Sequence, residues 1–237
     1  MKKIAIVPAY NEGGAIGGVV DELLAFDPEL VVLVIDDASH DRTAEEARAQ
    51  GARVVSLPFN LGIGGAVQTG FRYAARHGFE LAARVDGDGQ HDPAELAALF
   101  SVVVAGEADI CVGSRFAGSD GYRSSATRRV GISILARTVS LLTGQHVTDT
   151  TSGFQVLNRK AIELFASDYP HDYPEVEAAV MVHKHRLRLA ERPVKMRERA
   201  AGRSSIRGVR TVYYMAKVML AILVGALRRR TTPLEDS

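Results

Sequence analysis

The decapeptide RVDGDGQHDP (residues 84–93) closes one apolar run, residues 81–85, and opens another that begins at Pro93. An apolar run of about five residues has the length and composition of a strand buried on both faces. The segment after it starts like a helix: Asp92 is a good N-cap, Pro93 takes the first helical position, and Glu95 is placed to close a capping box. Strand, polar turn and helix make half of a βαβ unit.

The same order recurs along the chain. Apolar runs at residues 4–7, 31–35, 54–57 and 110–112 alternate with helix-like segments at 15–25, 43–50, 63–76 and 93–105. Buried strands alternating with helices predict an α/β fold: a Rossmann-like, mostly parallel sheet with right-handed crossovers and helices on both faces. Ligands of such sheets lie at the carboxyl ends of the strands. The segments expected there are PAYNE (8–12), DDASHDRT (36–43), FNLGIGGA (59–66), DGDGQ (86–90) and GSR (113–115). Each alone reads as a turn, because Asp, Asn, Gly and Ser are ordinary turn residues. Five on one edge read as a binding surface.

In an extended segment alternate side chains point the same way, so Asp86, Asp88 and Gln90 are expected to converge. Two carboxylates and an amide oxygen suit Mg²⁺ or Mn²⁺, with coordination positions left for water and diphosphate oxygens. An EF-hand is disfavoured, since its twelfth loop position is Ala97 and a strand precedes the loop. A dinucleotide fingerprint starting at Gly62 would need glycine where Val67 stands, and the absence of any Gly-Lys pair excludes a Walker A loop. The NLGIGGA glycines fit either a helix N-terminus approaching a nucleotide or tight strand-to-helix packing.

Composition bounds the rest. The 237 residues, 46% hydrophobic and 24% charged, suffice for one domain with a full core. A net charge of +1 gives no excess that points to nucleic acid. The single cysteine, Cys111, excludes an internal disulfide and a cysteine-cluster zinc site, and suits a reducing cytosol. Lys2 and Lys3 precede an apolar run that breaks at Pro8, Asn11 and Glu12, too early for the apolar core of a signal peptide.

PAYNE, DDxSxDxT, N-x-G-x-G-x-A, D-x-D-x-Q and the later TSGF (151–154), in this order, resemble the motifs of family 2 glycosyltransferases of the GT-A fold. More narrowly, the chain is similar to the dolichyl-phosphate mannose synthase and polyprenyl-phosphate glycosyltransferase branch, from about residue 3 to about residue 207. The resemblance implies a nucleotide-diphosphate sugar donor, a divalent metal and inversion at the anomeric carbon. It also implies that Pro8, Ala9, Tyr10, Glu12, Gly62 and Gly87 line the nucleotide-sugar pocket and that Asp37 contacts the base or ribose. Asp36 is read as serving the loop's own hydrogen bonds. Asp86, Asp88 and Gln90 take the metal and diphosphate site. Departure of a nucleoside diphosphate develops negative charge, and Arg115, Arg128 or Arg129, and Arg203 are candidates to stabilise it beside the cation.

Residues 148–162 are expected to run from loop to short strand to helix on the acceptor side. Asp149 is the best candidate for a carboxylate near the acceptor. A hydroxyl acceptor needs a general base, whereas a lipid phosphate is already ionised near neutral pH, and Asp149 then orients. His171, Asp172, Glu175 and Glu177 are further acceptor-side positions, although Glu175 and Glu177 also read as dipole partners of a helix opening at Pro174. His91, beside the metal segment, is a candidate contact to diphosphate or acceptor. His183 and His185, two apart on a helix, read as surface residues.

From residue 196 to 230 there are nine Lys or Arg and one acid, Glu198. Residues 196–206 resemble the family's active-site loop, in which Arg203 and Ser204 close over the diphosphate. A catalytic domain is expected over residues 1–207, with a basic, apolar helix and tail over 208–237. The apolar stretch at 211–227 would span roughly 25 Å as a helix, short of a hydrocarbon core of about 30 Å. It is read as a helix at the membrane surface, with packing on the domain or a homo-oligomer interface as the alternative.

The expected protein is an inverting glycosyltransferase at the cytosolic face of a membrane, with a polyprenyl phosphate acceptor. The alternatives are a hydroxyl of a soluble or surface glycan as acceptor, a sugar nucleotidyltransferase, and a non-catalytic nucleotide- or lipid-binding module. The nucleotidyltransferase would want a glycine-rich basic loop after the first strand, where PAYNEGG carries an acid and no Lys or Arg.

Overall fold

Seven strands form one sheet in the order β3-β2-β1-β4-β6-β5-β7. They are β1 (Lys3–Ala9), β2 (Val31–Asp36), β3 (Arg53–Ser56), β4 (Leu81–Arg84), β5 (Ile110–Ser114), β6 (Gln155–Asn158) and β7 (Leu189–Pro193). The helices are α1 (Ile16–Phe26), α2 (Thr43–Ala49), α3 (Gly62–Arg76), α4 (Leu96–Val104), α5 (Ala126–Thr143), α6 (Arg159–Ser167) and α7 (Pro174–Lys184). The computed structural model describes residues 1–117, 126–145, 147–170, 174–197 and 217, with residues 126–132 described by backbone alone.

β1 pairs in parallel with β2 and β4, as β2 does with β3 and β5 with β7. β6 lies between β4 and β5 and is antiparallel to both. This reversal positions the site. The loop that enters β6 arrives at the same sheet edge as the loops that leave β1, β2, β4 and β5.

Successive strand residues face opposite sides of a sheet, and each side carries its own core. Val7, Val34, Ala83 and Val156 pack with Val20 and Leu23 of α1 and Leu99 of α4. On the other face Ile6, Leu33, Ala82 and Leu157 pack with Phe71 of α3 and Ile162 and Phe165 of α6. Gly70 brings α3 close to β1: a Cβ there would lie 2.2 Å from Ile6 Cγ2.

The start of α4 differs in detail from expectation. Asp92 caps as predicted, accepting the Ala94 N–H at 3.0 Å, but a single 3-10 turn at Pro93–Glu95 precedes the α-helix. Glu95 does not close a capping box; its carboxylate accepts the Lys195 N–H at 3.4 Å, because the chain leaving β7 passes alongside. His183 is exposed on α7 and His185 lies just past its end.

Candidate active site

The loops after β1 and β2 interlock through backbone donors. Asn11 N–H donates to Ser39 Oγ at 3.0 Å and His40 N–H to Asn11 Oδ1 at 2.9 Å. Glu12 N–H donates to Thr43 Oγ1 at 2.9 Å and Gly13 N–H to Asp41 Oδ2 at 3.0 Å. The Ser, Asp and Thr of DDASHDRT therefore hold PAYNEG in place. Asp36 serves its own loop, accepting the Ser39 N–H at 3.0 Å.

Asp37, buried at 3% exposure, departs from expectation. Its two oxygens accept the Leu61 N–H at 2.7 Å and the Gly62 N–H at 2.9 Å. The carboxylate expected at the base or ribose is turned into the start of α3, where unpaired helix N–H groups need an acceptor. It fixes FNLGIGGA to the end of β2. Pro8 and Ala9 are buried at the end of β1 and Glu12 is half-buried. Tyr10, Phe59, Leu61 and Ile63 are left exposed around them.

DGDGQ is not extended. The chain turns at Gly87 and Asp88, and Gly89 has φ +76°. Strand alternation therefore does not align Asp86, Asp88 and Gln90; a turn carries them. Gly87 sits against the end of β1, where a Cβ would lie 3.2 Å from the Pro8 carbonyl oxygen. Asp88, 5% exposed, accepts the Gln90 N–H at 3.0 Å. The Gln90 carbonyl receives the Arg197 N–H at 2.9 Å, so the chain beyond β7 braces this turn.

His91, expected near the diphosphate or acceptor, is buried and supports Asp86. Its Nδ1 accepts the Asp86 N–H at 3.0 Å, and its ring stacks on Phe154 at 4.6 Å. The ring proton then sits on Nε2, which faces Asp86 Oδ2 at 3.8 Å. Burial holds the imidazole pKa below its ordinary value despite the nearby Asp86 and Asp88 carboxylates, so the ring is neutral.

Among the described residues no group of three or more His, Cys, Asp or Glu is arranged to hold a metal ion. Asp86, Asp88 and Gln90 nonetheless suit a hard divalent cation with few protein ligands, because all their available donors are oxygens. The space beside Asp86 is kept open by Gly153 of TSGF: a Cβ there would lie 2.9 and 3.0 Å from the two carboxylate oxygens.

Arg115 and Asp149 meet across the β5 and β6 loops. Arg115 Nε donates to Asp149 Oδ2 at 2.7 Å and Nη2 to Oδ1 at 2.8 Å, a bidentate pair. Nη2 also donates to Thr151 Oγ1 at 2.5 Å. Burial pushes the Asp149 pKa up, but the hydrogen bonds and charge of Arg115 outweigh it and hold the carboxyl below its ordinary range. An ionised carboxylate tied to a guanidinium orients; it is a poor proton acceptor.

Three supporting residues were not singled out from sequence. Glu191 of β7 accepts the Thr148 N–H at 2.9 Å, the Thr148 hydroxyl at 2.6 Å and the Asp149 N–H at 3.0 Å, which fixes the loop that carries Asp149. Arg84, 1% exposed, donates from Nη1 to the Tyr169 hydroxyl at 3.2 Å and from Nη2 to Glu175 Oε1 at 2.6 Å. The same Nη2 lies 3.7 Å from Asp86 Oδ1. Burial pushes the Tyr169 phenol up to about 12, so it is neutral. Glu175 is therefore the partner of a buried arginine and more than a dipole partner, while Glu177 remains in the first turn of α7. The signal for Arg84 was a charge inside an apolar strand run. The side chains of Arg128 and Arg129, and Arg203, Ser204, His171, Asp172 and the 211–227 segment apart from Lys217, lie outside the described residues.

Residues 4–165 match the sequence model described as Glycosyl transferase family 2. The chain belongs to this family. Polyprenol monophosphomannose synthase of Mycolicibacterium smegmatis is 30% identical over 227 residues, covering 92% of this chain and 85% of that one. Undecaprenyl-phosphate mannosyltransferase of Micrococcus luteus is 30% identical over 217 residues, covering 88% of each. Glucosyl-3-phosphoglycerate synthase from Mycobacterium tuberculosis, solved with Mn²⁺, UDP-glucose and phosphoglyceric acid, has a TM-score of 0.73 at 21% identity, covering 97% of this chain and 81% of that one. Mannosyl-3-phosphoglycerate synthase from Rubrobacter xylanophilus gives the same TM-score at 19% identity, covering 100% and 79%. These structures show that the family 2 glycosyltransferase has the GT-A fold. Among its described residues no helix is long and apolar enough to cross a membrane.

Proposed function

We propose that this family 2 glycosyltransferase moves a sugar, with inversion, from a UDP- or GDP-sugar to a polyprenyl phosphate at the cytosolic face of a membrane, using Mg²⁺ or Mn²⁺. The observation that carries the acceptor class is the bidentate Arg115–Asp149 pair. A hydroxyl acceptor would have to lose a proton, and the acceptor-side carboxylate is committed to a guanidinium. A phosphate monoester brings its own ionised oxygen and needs no base. The names of the two relatives, each of which covers most of this chain, support the same class.

Each side chain then has a task. Tyr10, exposed at 45% beside the end of β1, offers a ring for a base to stack on, and Pro8, Ala9, Glu12, Gly62 and Gly87 are proposed to line the same pocket. Asp86, Asp88 and Gln90 would hold the cation, which when bound offsets charge on the departing diphosphate. Arg115, fixed in advance by its bidentate pair with Asp149, is proposed to supply a preorganised hydrogen-bond donor at the diphosphate. In a single displacement the acceptor oxygen forms the new bond to the anomeric carbon as its bond to the diphosphate oxygen breaks. Arg128, Arg203 and Ser204 are proposed to add contacts to the diphosphate. The basic, apolar segment after residue 207 is proposed to supply the membrane contact or a homo-oligomer interface.

The test is incubation with a panel of UDP- and GDP-sugars, Mn²⁺ or Mg²⁺ and a short polyprenyl phosphate, with glycolipid followed by mass and its anomeric configuration by NMR. One donor should yield an inverted glycosyl phosphate ester. Products only with hydroxyl acceptors would replace the lipid reading by the glycan alternative. Gly153→Ala should lower the metal-dependent rate about tenfold or more, since its Cβ would press Asp86 and lie 3.0 Å from Arg84 Nη2. An unchanged rate would detach Gly153 from the site.

A further inference from the structure

Arg84 poses an electrostatic problem for the metal site proposed above, and the inference drawn from it rests on that reading. A fully buried guanidinium whose Nη2 lies 3.7 Å from Asp86 Oδ1 competes with any cation for the same carboxylate. Left uncompensated it would both repel the cation and draw Asp86 inward. Glu175, arriving from the first turn of α7, takes the same Nη2 at 2.6 Å. Glu175 thus offsets the guanidinium's charge in a hydrogen-bonded ion pair, while Asp86 keeps only the longer ion-pair contact at 3.7 Å, beyond hydrogen-bond length. Asp86 Oδ1, the oxygen nearest Arg84, is buried, yet the Asp86 side chain as a whole is 35% exposed. The other group on the guanidinium, Tyr169, is a neutral phenol and offsets no charge.

We propose that Glu175 is a positioning residue for the metal site: as counterion to Arg84, it keeps the guanidinium's charge off Asp86 and leaves that carboxylate available to a divalent cation. Two consequences separate this role from a purely structural one. Removing the negative charge alone should weaken the cation, because the Arg84 charge is then uncompensated. Removing both charges together should restore it, because the local sum is again that of the wild type. An Arg84 that acted chiefly as a mechanical anchor for Asp86 would give the opposite result in the double variant.

The experiment is a titration of the metal-free full chain with Mn²⁺ alone, free Mn²⁺ being read from its EPR signal and folding from thermal melting. Glu175→Gln should weaken Mn²⁺ about tenfold or more, and Arg84→Met/Glu175→Gln should return to within about threefold of wild type. Wild-type affinity in Glu175→Gln, or affinity in the double variant as weak as in the single, would overturn the proposal while leaving the metal reading standing. Should Glu175→Gln fail to fold, the double variant, which removes guanidinium and carboxylate together, still tests the proposal: Mn²⁺ bound about tenfold or more weakly than by the wild type would overturn it. No Mn²⁺ binding by the wild type, or equal binding by Asp88→Asn, would overturn the metal reading itself and this inference with it.

Discussion

Asp88→Asn is expected to abolish metal-dependent sugar transfer while leaving the fold intact. The Asp88 carboxylate, 5% exposed, accepts the Gln90 N–H at 3.0 Å, and an asparagine oxygen can accept the same bond. The turn therefore keeps its shape and loses a negative charge. A cation that neutralises a leaving diphosphate is worth several kcal/mol in the transition state. The rate at fixed Mn²⁺ should fall by about 10³, roughly 4 kcal/mol, with an unchanged melting temperature. Full activity in the variant would refute the assignment of Asp88 to the metal site. A large drop in melting temperature would show that the charge serves the fold instead.

Arg115→Met should be the most destabilising change at the site. It would leave Asp149, 2% exposed, with the backbone N–H of residue 115 at 3.2 Å, the Thr151 N–H at 3.2 Å and the Thr151 hydroxyl at 3.1 Å, but without the guanidinium's charge and its two hydrogen bonds. Removing one partner of a buried ion pair costs about 3 kcal/mol or more, because the other charge is left desolvated. Urea unfolding at neutral pH should show that loss. The pH dependence gives a sharper signature. In the wild type the folded-state pKa of Asp149 is depressed, so its contribution is present above the unfolded-state value and is lost as pH falls through the folded one. In the variant, burial without the guanidinium raises the folded-state pKa, and protonation on acidification relieves the penalty. The stability gap between the two proteins should narrow as pH falls through the carboxylate range. A gap that stays constant would mean that Asp149 is not the group left unpaired.

Much of the fold is legible in the sequence because parallel strands buried on both faces leave uninterrupted apolar runs, and their polar ends mark the binding edge. β7 escaped because LAERP carries Glu191 and Arg192 on a half-buried strand and so lacks that signature. The antiparallel sense of β6 has no local signal either, since strand direction depends on where the chain returns from. At the site, the residue types in PAYNE, DGDGQ and TSGF were readable, but their tasks were less so. Asp37 was expected at the base or ribose and its carboxylate caps α3, a contact that a short-range pattern does not reveal because Leu61 and Gly62 bring their N–H groups to it only in the fold. Arg84 and Glu175 stand 91 positions apart, and only the folded chain shows that one is the counterion of the other. DGDGQ named the metal-binding residues that are proposed here but suggested the wrong geometry, since Gly87 and Gly89 make a turn where alternation assumed a strand.

Calorimetric titration of UDP and GDP into the full chain, with and without Mn²⁺, shows whether the loops that converge on one sheet edge build a metal-dependent nucleotide-diphosphate site. One of the two nucleotides should bind at least ~100-fold more tightly with Mn²⁺ than without, and Asp86→Asn should remove that increment. Equal affinity in the presence and absence of Mn²⁺, or no binding of either nucleotide, would mean that this edge holds no such site.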